Sequence, residues 1–198
     1  RLKIQKLIHT ESNRYQSDNR LGQVVGNQKV IINPPYPIIS TPELDALYSL
    51  PYTRQPHPRY KGKTIPAYDM IKFSVNIHRG CFGGCAFCTI SAHQGKFIVN
   101  RSSRSILREV KEIAAMPDFK GYIHDIGGPT ANFRYPACKK QLEHGVCSNR
   151  KCLVPTPCPN LIADHSEYIE LLSKVESLPK VKKVFIRSGV RFDYLMED

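Results

Sequence analysis

The stretch Gly80-Cys81-Phe82-Gly83-Gly84-Cys85-Ala86-Phe87-Cys88 constrains this chain most, because it sets three thiols at C-x3-C-x2-C. A loop that wraps around one point brings all three sulfurs to it. Gly80, Gly83 and Gly84 let the backbone turn that tightly. Two thiol chemistries compete. Cys85 and Cys88 alone form a C-x2-C zinc knuckle. Three thiolates also suit an iron–sulfur cluster; a [4Fe-4S] cubane usually takes four, so three leave one iron free to bind a small molecule. The third cysteine and the aromatic Phe87 before Cys88 weigh toward the cluster.

The surrounding pattern is α/β. Ile71, Phe73, Val75 and Ile77 alternate with Lys72, Ser74, Asn76 and His78, a period of two that predicts a strand leading into the cysteine loop. A cofactor loop at the C-terminal end of a strand is the arrangement of α/β barrels. Asn100–Ser105 supplies helix caps, and Ile106, Leu107, Val110, Ile113 and Ala114 mark one helix face ending before Pro117. Gly121–Ile126 is the next strand, running into Gly127-Gly128-Pro129-Thr130. Asp164 and Glu167 have capping-box spacing. Tyr168, Leu171, Leu172, Val175 and Leu178 then give a second apolar helix face, stopped by Pro179, and Val181–Ser188 is a third strand. This order predicts parallel strands joined by right-handed crossovers.

Residues 1–68 are expected to be an N-terminal extension, and residues 69–198 the core with a Cys-rich insertion at 129–162. Residues 1–20 are polar and basic, and read as a linker or an arm laid over the domain. Gln23–Val25 and Lys29–Ile32 flank a glycine-containing turn and predict a hairpin. Thr41 is the expected cap of a short helix with Pro42 at its first position. Residues 51–66, rich in proline, aromatics and basic groups, read as a solvated connector. The chain begins at Arg1 and ends just after an apparent strand, as expected of a piece of a longer protein.

The net charge is +12, from 29 Lys+Arg against 17 Asp+Glu, which raises nucleic acid or an anionic substrate as partners. The basic residues are spread out rather than gathered in one stripe, which argues against nucleic acid. No apolar run reaches the length of a membrane span, so no membrane partner is expected. The seven cysteines split into Cys81, Cys85, Cys88 and Cys138, Cys147, Cys152, Cys158. That partition fits metal sites in a reducing cytoplasm better than a disulfide framework.

The cysteine spacing, Phe87, and the wider stretch Asn76-Ile77-His78-Arg79-Gly80 through Cys88-Thr89-Ile90-Ser91-Ala92-His93-Gln94-Gly95-Lys96 resemble the radical S-adenosylmethionine (SAM) superfamily, and within it the YgiQ family. The resemblance implies the N-terminal half of a partial (β/α)6 TIM-like barrel. It implies that Cys81, Cys85 and Cys88 ligate a [4Fe-4S] cluster whose free iron chelates SAM. It implies that the backbone at Phe87 holds the adenine side, with packing beneath the loop as the ring's structural alternative. It also implies that the Gly127-Gly128 carbonyls face the SAM amino group. Many members place Glu after the glycines; here Pro129-Thr130 stands instead. The implied activity is reductive SAM cleavage to a 5′-deoxyadenosyl radical, fed by a flavodoxin- or ferredoxin-like electron donor and acting on an unknown substrate.

Arg187, Ser188 and Arg191 follow the third strand, where an arginine can pair bidentately with a carboxylate. His78 and His93 flank the loop and read as structural rather than catalytic. Cys138, Cys147, Cys152 and Cys158 match no standard zinc ribbon, yet four thiols in a proline-rich segment point to a second metal site, iron–sulfur or zinc. The competing reading of the whole is a basic, zinc-organised nucleic-acid-binding module without catalysis.

Overall fold

The computed structural model describes residues 2–198. The first segment is a helix, α1 (Leu2–Asn13), where a linker was expected. Its residues include no glycine or proline, and its C-terminal end is tied to the domain. Val146 N–H donates to the Asn13 carbonyl at 2.6 Å, and Lys96 Nζ donates to Asn13 Oδ1 and, at 3.1 Å, to Ser12 Oγ. The arm thus lies over the domain, but as a helix.

The hairpin forms from β1 (Leu21–Val25) and β2 (Gln28–Ile32), paired from Leu21↔Ile32 to Val25↔Gln28. Both faces are largely exposed. Helix α2 (Thr41–Leu47) is capped by Ser40, one residue before the expected Thr41. Ser40 and Glu43 make a reciprocal capping box, and only Ser40 stands at the S-x-x-E spacing that allows it. The connector carries a single 3-10 turn at Pro58–Tyr60.

The predicted strand at 71–78 is corrected in its first part. Residues up to Ile71 belong to helix α3 (Pro66–Ile71), opened by Pro66, and Ile71 is 63% exposed. The strand starts later, as β3 (Ser74–Asn76), and continues past Ile77 as β4 (His78–Arg79). Phe73, Val75 and Ile77 keep the predicted alternation and are buried. Beyond the cysteine loop come α4 (Ile90–His93), β5 (Val99–Asn100), which pairs antiparallel with β4, and α5 (Ser103–Ala114), capped by Ser102. Then follow β6 (Tyr122–Ile123), β7 (Asp125–Gly127), α6 (Lys139–His144), α7 (Ser166–Glu176), β8 (Lys183–Val184) and α8 (Phe192–Leu195).

The three expected strands lie side by side and parallel. β3 pairs with β7, Ser74↔Asp125 to Asn76↔Gly127, and β6 pairs with β8. Bonds from His124 N–H to the Phe73 carbonyl and from Ile126 N–H to the Phe185 carbonyl carry the ladder across the break between β6 and β7. Among the described residues the sheets are small and do not close into a barrel. On one face α5 and α7 bury Ile106, Val110, Ile113, Leu171 and Val175 against Val75, Ile123 and Ile126. Each such aliphatic side chain contributes about 1.5–3 kcal/mol when fully buried.

Two buried arginines hold the sheet edge that feeds the cysteine loop. Arg101 donates to the Asn76 carbonyl at 2.8 Å, to Ser105 Oγ at 2.9 Å and to Glu109, and its guanidinium lies 3.9 Å over the Tyr48 ring. Arg134 donates to the Ile77 carbonyl and to Asn100 Oδ1, both at 3.1 Å, and to Glu167. Glu167 therefore does not build the expected capping box. A buried guanidinium needs a counter-charge more than a helix start needs a second cap. Asp164 instead accepts from Ser166 N–H at 2.8 Å.

Candidate metal and cofactor site

The loop that carries the first three cysteines is fixed at its start and closed by a turn at its end. Gly80 has φ +84, and a Cβ there would run into the Phe97 carbonyl, so no other residue fits. Cys81 N–H donates to the Gly95 carbonyl at 3.1 Å, and Cys88 N–H to the Cys85 carbonyl at 3.2 Å. Beneath the loop sits an aromatic cluster. Phe82 stacks on Phe133 with centroids 3.9 Å apart, and Tyr194 packs edge-on to both. Cys81 is buried among these rings, with Ala137 and Leu153. Phe82 is the ring that packs under the loop, whereas Phe87 is 91% exposed, which removes packing as the reason for an aromatic there.

Hydrogen-bond donors reach two of the three sulfurs. Gly83 N–H lies 3.4 Å from Cys81 Sγ, and Arg191 Nη1 lies 3.3 Å from Cys85 Sγ. The Thr130 hydroxyl is 3.9 Å from Cys81 Sγ. Arg191 is held in place from both sides. Its guanidinium grips Asp193 bidentately at 2.7 and 2.8 Å, the pairing expected of an arginine here. Its backbone N–H donates to Asn132 Oδ1 at 2.9 Å, while Asn132 Nδ2 donates to its carbonyl at 3.2 Å. Asp193, and more weakly Cys85, raise the arginine's already high pKa, so a full positive charge faces the thiol. Donors of this kind stabilise thiolate sulfur and tune cluster potentials. In donor chemistry the three cysteines fit the cluster that the sequence implies.

The glycine pair follows β7. The Gly127 carbonyl already accepts the Ile77 N–H at 2.8 Å. A Cβ on Gly127 would collide with the Ser188 hydroxyl, and one on Gly128 with the His78 ring. Close packing alone therefore demands glycine at both positions. His78 is fully buried and neither ring nitrogen has a partner. Burial, with the Arg134 charge adding to it, pushes its pKa down to about 3, so the imidazole stays neutral. Arg187 N–H and the Ser188 N–H and hydroxyl all donate to Asp125 Oδ1, and His93 lies exposed on α4.

The second cysteine group is folded back on itself. Cys158 N–H donates to the Cys152 carbonyl at 2.9 Å, and Ile162 N–H to the Ala137 carbonyl at 2.9 Å, which closes the segment. Burial, then the charges of Cys138, Cys158 and Cys147, push the Cys152 thiol up to about 11. All seven cysteines are free. Among the described residues, no three Cys, His, Asp or Glu side chains already surround a metal-sized point. The two groups meet across a cavity of about 430 Å³ lined by Cys81, Phe82, Gly84, Cys147 and Cys152. Lys151 Nζ spans it, donating to the Gly84 carbonyl at 2.8 Å.

Residues 2–74 match the family described as radical SAM N-terminal. The chain is 58% identical over 189 residues to a UPF0313 protein of Bacteroides thetaiotaomicron, covering 96% of this chain and 30% of the relative. Taken with the cysteine spacing, these matches decide the family. This is a radical SAM superfamily protein. A UPF0313 protein of Porphyromonas gingivalis is 55% identical over 197 residues, with 96% and 30% coverage. One from Methanocella arvoryzae is 53% identical over 169 residues, with 85% and 28% coverage. The chain thus spans about 30% of the length of these curated relatives. No solved structure gives a significant match.

Within this radical SAM chain, sequence reasoning missed the parts that brace the loop. Arg101, Asn132, Arg134 and Tyr194 lie outside the 81–88 loop in sequence and follow no periodic pattern. Phe82, Phe133 and Tyr194 each have another aromatic close by in sequence (Phe87, Tyr135 and Phe192), so no local signal singled them out.

Proposed function

We propose that Cys81, Cys85 and Cys88 ligate three irons of a [4Fe-4S] cluster and that the fourth iron takes SAM. When bound, the cluster supplies the electron that cleaves SAM to methionine and a 5′-deoxyadenosyl radical. The chain's own residues bind and orient. Arg191 and Gly83 N–H hold the ligand sulfurs by hydrogen bonds. The exposed Phe87 marks the side where the adenine lies, and Gly127-Gly128 ends the neighbouring strand where the SAM amino group is received. Residues 69–198 act as the core and 1–68 as an extension over it, in the N-terminal half of a (β/α)6-type barrel. Seven free cysteines suit a reducing cytoplasm. No helix among the described residues is long and apolar enough to cross a membrane. The natural electron donor is a flavodoxin- or ferredoxin-like protein.

The observation that carries the reading is the C-x3-C-x2-C loop with donors aimed at two of its sulfurs. The test is anaerobic reconstitution, followed by absorption and spin-resonance spectra with and without SAM. A cluster whose reduced spectrum changes with SAM is expected, and Cys81→Ala, Cys85→Ala or Cys88→Ala should each remove that change. A colourless protein holding zinc and no sulfide would replace this reading with the zinc-organised module.

A further inference from the structure

We infer that Cys138, Cys147, Cys152 and Cys158 form a second, tetrathiolate metal centre that fastens the Cys-rich segment behind the first loop. Four thiols fall within a short span of chain, and backbone bonds return that span on itself: Cys158 to Cys152, Leu161 to Cys158 and Ile162 to Ala137. Arg150 Nη2 donates to the Pro157 carbonyl at 3.0 Å and bends the chain between Cys152 and Cys158. Cys147 is brought in from the other side, because Val146 N–H is tied to the Asn13 carbonyl at the end of α1. No thiol of the group is spent on a disulfide.

The surroundings suit a closed structural site. All four cysteines are half-buried, and His9, which lines the same cavity as Cys147 and Cys152, has its Nε2 engaged by Asn13 Nδ2 at 3.1 Å. Four thiolates around a divalent ion leave a net charge of −2. Arg150 and Lys151 stand immediately before Cys152 and offset it. The thiols stand short of ligation distance from a common point, and metal binding would draw them together while releasing their protons to solvent. A zinc ion and an iron–sulfur cluster share this tetrathiolate chemistry, and metal analysis separates them.

The centre is independent of the first site and can be tested without it. The whole chain carrying Cys81→Ser, Cys85→Ser and Cys88→Ser is purified anaerobically and analysed for zinc, iron and sulfide. One zinc ion, or a cluster's complement of iron and sulfide, should remain per chain. Adding Cys152→Ser to that background should remove it. To guard against misfolding of the quadruple variant, the triple variant is also stripped of metal and titrated with Co2+. Intense sulfur-to-cobalt charge transfer with tetrahedral d–d bands is expected. Absence of bound metal in the triple variant, a cobalt spectrum without thiolate bands, or full native alkylation of all four thiols despite bound metal would each overturn the proposal.

Discussion

The two cysteine groups sit on opposite kinds of structure. Cys81, Cys85 and Cys88 follow the parallel strand β3 by way of the short antiparallel β4, and the Asn76 and Ile77 carbonyls between the two are capped by two buried arginines. Cys138 to Cys158 lie on an irregular segment with one short helix, α6, tied by a few backbone bonds and by packing of Leu153 and Cys152 against the aromatic cluster. The first group is positioned by the fold. The second depends on local bonds and, by our proposal, on its own metal. Regular structure holds a site open for a ligand, whereas an irregular segment needs a crosslink to keep its shape. The two meet at Cys81 and Phe82, which belong to the loop and to the aromatic cluster at once.

The largest effect should come from breaking the brace under the first group. Arg101→Met leaves the Asn76 carbonyl without its donor and Glu109 short of a buried counter-charge, with Arg54 alone beside it at 2.9 Å. Removing one partner of a buried pair costs about 3–5 kcal/mol. Urea unfolding should show that loss, together with poorer retention of the cluster proposed for the first group. Unchanged stability would mean that the strand end is held by its ladder alone.

Phe82→Ala tests the place where the two regions join. Emptying a stacked aromatic site costs about 3–5 kcal/mol, and less where neighbours collapse inward. Both cysteine groups should loosen together, read as faster native alkylation of Cys81 and of Cys152. Ile113→Ala, in the sheet core, should cost a comparable ~2–5 kcal/mol without changing relative reactivity within either group. Loosening of only one group in the Phe82 variant would show that the regions are mechanically separate.

How much of this could be read beforehand divides along the same line. The period-two run through Phe73, Val75 and Ile77, the helix faces on α5 and α7 and the parallel strand order are local patterns with one buried face, and they were legible. Ile71 was misassigned because an alternating pattern does not show where it starts; Pro66 opened a helix across it. Glu167 was misassigned because its capping spacing is local while its partner Arg134 is distant. The spacing of the cysteine loop is local and plain in the sequence. The contacts that aim it, Arg191 on Cys85 and Asn132 on Arg191, join residues from separate segments and leave no mark in the spacing.

His78 sharpens the comparison through pH. Its pKa falls from 6.5 to about 3 on folding, so between those values the unfolded chain binds a proton that the folded chain refuses. Its contribution is complete above about pH 6.5 and is lost as pH falls toward 3, at roughly 1.4 kcal/mol per pH unit. His78→Leu should flatten the fall in stability across that range, measured by urea midpoints from pH 7 to pH 4. An unchanged slope would place the acid sensitivity elsewhere, the proposed second centre included, since its thiolates also take up protons.

The smallest effect on stability, and the most selective, belongs to Arg191. The residue is partly exposed and its ion pair with Asp193 is close to the surface, so Arg191→Met should cost about 1 kcal/mol or less in unfolding. Its other role is the bond from Nη1 to Cys85 Sγ, a donor and a positive charge beside a ligand sulfur. Both favour added negative charge, so their loss should make the cluster proposed for the first group harder to reduce and move its midpoint potential to more negative values. Arg191→Lys keeps the charge but not the planar fork, which serves Asp193 and Cys85 together, and should fall between Met and the parent. Asn132→Leu releases the backbone of Arg191 without touching its side chain and should shift the potential in the same direction by less. Metal content of the second group should be the same in all three variants, because none of the three touches it. A potential that does not move in Arg191→Met would reduce the guanidinium to a surface partner of Asp193, and leave the first loop positioned by its strand and its aromatic bed.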